Sequence, residues 1–146
     1  MNFSSFPEYN GSCHPEDWLR KFKFIATVQE KISSESELVS YALLKISRSI
    51  YNDDNNHIEN LSQLLEFLKA DPSFLIFKIE SEQKLLDLRF TYLTNIKDFI
   101  IELRQLLSDA EIYDLKLQKL SILKILPTKF FEIYSLKIAN SQNTHE

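Results

Sequence analysis

The chain has 146 residues, enough to bury a core without disulfide or metal support, and its 44% hydrophobic and 26% charged content suits a folded globular protein. A net charge of −4 argues against a broad phosphate-binding surface. No apolar run approaches the roughly 20 residues of a membrane-spanning helix, and the single cysteine excludes an internal disulfide. One glycine and four prolines leave little turn chemistry for hairpins, and no long stretch alternates apolar and polar residues. The sequence therefore predicts an all-α fold.

Residues 1–13 set Phe3, Phe6 and Tyr9 among small polar residues, with Pro7 and Gly11. This reads as an extended arm whose aromatic rings pack on something. Nothing in the opening stretch pairs a basic region with an apolar one, so no secretory signal is expected, and the lone Cys13 fits a reducing, cytoplasmic setting. A first helix is predicted from Pro15, with Glu16 and Asp17 at its positive end. Trp18, Leu19, Phe22, Ile25 and Ala26 fall on one face of it. Residues 3–11 are expected to cross the N-terminal lobe with Phe6 and Tyr9 near Trp18 and the second helix. The competing outcome is a free arm, leaving an apolar groove around Trp18, Phe22 and Val39 for a partner's peptide.

Ser34 and Glu37 have capping-box spacing, and the second helix is predicted to carry Val39, Ala42, Leu43, Ile46 and Ile50 on one stripe. A polar loop over 51–56 follows, then a short helix with Leu61, Leu64, Leu65 and Leu68 behind an Asn60 cap. Asp71-Pro72 reads as a cap, a first-turn proline and the boundary between two lobes. The fourth helix carries Phe74, Phe77, Leu85 and Leu88, and Thr91 to Thr94 break it. The fifth places Ile96, Phe99, Ile100, Leu103 and Leu107 on one face, with Ile101 apolar outside that stripe. A sixth is predicted from Asp114 through Leu117, Leu120 and Leu123, ended by Pro127; Phe130, Phe131, Tyr134 and Ile138 form the last stripe. The expected organisation is an arm over 1–13, an N-terminal lobe over 14–70, a C-terminal lobe over 71–140 and a frayed tail over 141–146.

Catalytic chemistry is hard to assemble from these residues. The three histidines, His14, His57 and His145, lie at a helix start, in a polar loop and in the tail. His14 with Asp17 gives two metal ligands without a third, and a helix-start role suits the pair better. Adjacent Cys13 and His14 point to opposite sides of an extended chain, poor geometry for a nucleophile and its base. No glycine-rich phosphate loop is possible, and Asp53-Asp54 and Asp109/Glu111 read as solvated charges. No enzyme activity, cofactor or metal site is expected. Lys116, Lys119, Lys124 and Lys129 read as a solvated face, with RNA at most a weak or indirect partner.

The order of these features resembles the capsid region of Gag polyproteins from gypsy-type long-terminal-repeat retrotransposons and their domesticated relatives. Tyr9-Asn-Gly11 and Trp18-Leu19 stand where that family has its entry segment and first helix, Tyr41-Ala-Leu-Leu44 matches the start of the next, and Leu123-Lys-Ile-Leu126-Pro127 resembles its Leu-Pro element. Leu85-Leu-Asp-Leu88-Arg89 and Asp98-Phe99 match the flanks of a turn the family writes Gln-Gly-x-x-Glu, but Phe90, Thr91 and Asn95 occupy the turn region here. Ile46, Arg48 and Tyr51 replace its Gly, Ala and Trp. The resemblance covers about residues 6–138. It implies two small helical lobes of retroviral or retrotransposon capsid type that act without catalysis by self-association. Ile101, apolar outside the stripe of the fifth helix, makes the C-terminal lobe the expected contact surface. A monomeric adaptor that binds a partner peptide in the N-lobe groove is the alternative.

Overall fold

The computed structural model describes residues 2–53, 57–91 and 95–125. Among these residues there are six α-helices and no strand: α1 Pro15–Phe24, α2 Glu35–Leu44, α3 Leu61–Ala70, α4 Pro72–Asp87, α5 Ile96–Asp109 and α6 Leu115–Ile125. The all-α expectation holds. No helix among the described residues is long and apolar enough to cross a membrane. The chain divides into two compact units, Met1–Lys78 and Ile79–Glu146. Helix α4 starts where the sequence sets a lobe boundary and continues through the division between Lys78 and Ile79. The expected stripe of Phe130, Phe131, Tyr134 and Ile138 lies outside the described residues.

In the N-terminal unit, α1 starts on a His14 cap whose Nδ1 accepts from the Glu16 N–H at 3.1 Å, with Pro15 at the first helical position. Trp18, Leu19 and Phe22 turn inward. The helix then widens into a π-helical turn, Ile25–Gln29, which brings Ala26 to full burial. It closes with Lys31 in the left-handed region (φ 54) and the Ile32 N–H on the Ala26 carbonyl at 2.8 Å. Helix α3 is capped by Asn60, whose side chain accepts from Gln63 N–H at 2.8 Å, and it buries Leu64 and Leu68 completely.

Two expectations for α2 fail. The Ser34–Glu37 capping box does not form; the Ser34 hydroxyl lies 2.9 Å from that of Ser36 instead. The neighbouring Glu35 carboxylate accepts from Leu61 N–H at 3.1 Å, so it supports the start of α3. The helix also ends at Leu44 rather than continuing through Ile50. Past its cap at Lys45 the backbone turns to pair with the arm, and Ile46 is buried in that pairing rather than on a helical stripe.

The C-terminal unit builds a separate core from Leu85, Phe99, Leu103, Leu106, Leu107 and Ile125, flanked by Leu88, Phe90, Ile112 and Ile122. Asn95 caps α5 by accepting from Lys97 and Asp98 N–H, and Asp114 caps α6 by accepting from Lys116 and Leu117 N–H. The faces differ from expectation. Leu106 is on α5's core side and its C-cap Ala110 is buried, while Ile96 and Ile100 are exposed. On α6, Leu117 and Leu120 face water, and Ile122 and Ile125 take the inner side.

Candidate functional site

The described residues bring four of the five groove candidates into one aromatic cluster. Residues Phe3–Ser5 form a 3₁₀ turn and the chain then runs extended from Phe6. Tyr9 makes a parallel bridge to Ile46: its N–H donates to the Lys45 carbonyl and its carbonyl accepts from Ser47 N–H, both at 2.9 Å. The Trp18 indole N–H donates to the Pro7 carbonyl at 2.9 Å, so the ring's one polar atom is satisfied by arm backbone. Phe6 stacks on Phe22 with centroids 4.8 Å apart, Tyr9 lies 5.3 Å from Trp18, and Trp18 lies 5.6 Å from Phe22. Phe3 extends this array to Tyr41 at 6.1 Å. Val39 is also buried but packs outside this cluster. The space beside Trp18 is occupied by the protein's own arm.

Gly11 makes the turn that lets the chain leave the arm for α1. Its φ of +87 suits glycine, and a Cβ there would meet Ser73 Cβ at 3.0 Å. Ser73 sits at the start of α4, next to the Asp71 cap. Its hydroxyl and that of Tyr9 are buried, and neither reaches hydrogen-bond geometry with a partner. The backbone pairing to residues 45–47 and the Ser73 contact were not visible in the sequence, because both join residues far apart in the chain.

The Tyr9 phenol is pushed up to about 12, first by burial and then by negative charge at Cys13 and Asp71, with the neighbouring Ser73 hydroxyl opposing. The unfolded chain ionises near the ordinary value of 10.0 while the folded one keeps its proton. The associated stability is therefore complete below that value and is lost as pH rises toward about 12. Tyr9→Phe should abolish this share of the alkaline loss and leave neutral-pH stability equal or slightly higher, since an unsatisfied buried hydroxyl goes with it. Urea melts of both proteins at about pH 8 and about pH 11 check it. A variant that loses as much stability between those pH values as the wild type would refute the assignment.

In the C-terminal unit, Ile101 is 67% exposed on α5. It does not line the apolar groove of about 490 Å³ in this unit, whose lining includes Phe90, Ile96, Ile100, Leu103, Ile122, Arg104 and Gln118. Among the described residues no group of three or more His, Cys, Asp or Glu is placed to hold a metal ion. No family model, curated protein or solved structure matches the chain.

Proposed function

We propose that this chain is a non-catalytic, capsid-like protein of the cytoplasm that acts by self-association, its C-terminal unit supplying the contact. The observation that carries this reading is the aliphatic surface of that unit. Ile79, Leu86, Ile96, Ile101, Leu115, Leu117 and Leu120 all stand largely in water. Burying such side chains yields about 25 cal/mol per Å² of apolar area, which favours a protein partner for this surface. The resemblance to retrotransposon capsid regions supports the same class. Sedimentation velocity from micromolar to millimolar concentration, with and without RNA, should show mass rising with concentration. A strict monomer throughout would end the proposal.

A second reading is a monomeric adaptor whose N-terminal unit binds a partner peptide. One feature favours it: the arm lies in its seat as a peptide would, held by two backbone hydrogen bonds and three aromatic rings. A partner strand would have to displace the arm. A labelled peptide of residues 2–11 should then bind the arm-deleted chain, and failure to bind excludes this reading.

A further inference from the structure

We infer that a second copy of this chain docks on the outer faces of α4 and α6, forming a two-fold dimer in which α4 of each copy lies against α6 of the other. This rests on the self-association proposed above and names its surface.

The first observation is complementary charge around apolar centres. On the part of α4 within the C-terminal unit, Ile79 and Leu86 are 55% and 58% exposed. Residues 79–87 hold three acidic side chains, Glu80, Glu82 and Asp87, against one cation, Lys84. On α6, Leu117 and Leu120 are each 54% exposed. Residues 115–125 hold three lysines, Lys116, Lys119 and Lys124, and no acid. An acidic strip and a basic strip, each centred on aliphatic residues, suit one another electrostatically and by apolar burial.

The second observation is placement. Glu82 and Leu86 of α4, Arg89 just beyond it, and Ser121 and Lys124 of α6 line one groove of about 480 Å³ with Ile112 and the buried Leu85 and Ile125. Each strip therefore reaches this groove, the acidic one through Glu82 and Leu86 and the basic one through Lys124. A two-fold axis through that groove sets each acidic strip over the partner's basic strip, so every contact occurs twice and the assembly closes at two copies. The alternative register, with α6 on α6, opposes lysines to lysines and is disfavoured.

Charge reversal tests this in the full chain. Glu80→Lys with Glu82→Lys is one variant, and Lys119→Glu with Lys124→Glu is the other. Each alone should weaken association about tenfold or more by sedimentation equilibrium, with far-UV circular dichroism unchanged. An equimolar mixture of the two should recover wild-type affinity, because both contacts of the mixed dimer then pair opposite charges. Leu117→Gln with Leu120→Gln removes only exposed apolar surface and should also dissociate the dimer.

If the wild type associates but all three variants associate equally well, or the mixture fails to recover, this surface is wrong while self-association stands. A wild type that is monomeric at every concentration overturns both. A monomer that pellets with anionic phospholipid vesicles would assign α6 to a membrane surface and overturn the dimer.

Discussion

Deleting residues 1–10 should lower the stability of the N-terminal unit by about 3–5 kcal/mol, the usual cost of removing one fully buried aromatic side chain. The deletion takes away two buried rings, Phe6 and Tyr9, and uncovers Trp18, Phe22 and Ile46. It also strips the Trp18 indole of its Pro7 acceptor. Removing the arm also removes the entropy cost of ordering it, which offsets part of the loss. Thermal melting should fall, and Trp18 emission should shift to the red as water reaches the ring. Unchanged melting and unchanged emission would mean the arm is not packed there.

The second large effect is local to one helix. Phe22→Ala should cost about 3–5 kcal/mol, whereas Phe24→Ala should stay within about 0.5 kcal/mol. The two residues share the same helix and the same side chain. Phe22 is fully buried against Phe6 and Trp18, while Phe24 is 56% exposed. Cavity formation and lost dispersion contacts apply only to the first. Paired urea melts decide it. Equal losses at both positions would show that the helix is rotated from the orientation described.

Helix starts were legible in the sequence because caps are local. His14-Pro15, Asn60, Asp71-Pro72 and Asp114 each lie within a few residues of the N–H groups they satisfy, whereas the Asn95 cap of α5 was not read from the sequence. The end of α2 was not legible. Ile46 and Ile50 extend a helical stripe, but the Lys45 carbonyl and the Ser47 N–H on either side of Ile46 bond to Tyr9, and hydrogen bonds across that separation leave no periodic trace. The inner face of α6 was ambiguous for another reason. Leu115, Leu117, Leu120, Ile122, Leu123 and Ile125 surround the helix, so periodicity shows that a helix forms without showing which side faces in. The candidate site divided in the same way. Phe6, Tyr9, Trp18 and Phe22 were visible as aromatic residues seeking cover. The Ser34–Glu37 box misled because the nearest hydroxyl, that of Ser36, engages Ser34 first.

The pairing of Tyr9 with residues 45–47 also sets an order of events. It joins segments that meet only after the intervening chain has been made. A ribosome delivers the arm before its docking partner, which emerges only after α1 and α2. The arm is therefore expected to latch late, after the barrier to folding has been crossed. Its contribution is expected in the unfolding rate: Tyr9→Ala, which removes the ring and not only its hydroxyl, should open faster while folding at nearly the wild-type speed. The arm acts as a clasp that governs how long the unit stays shut.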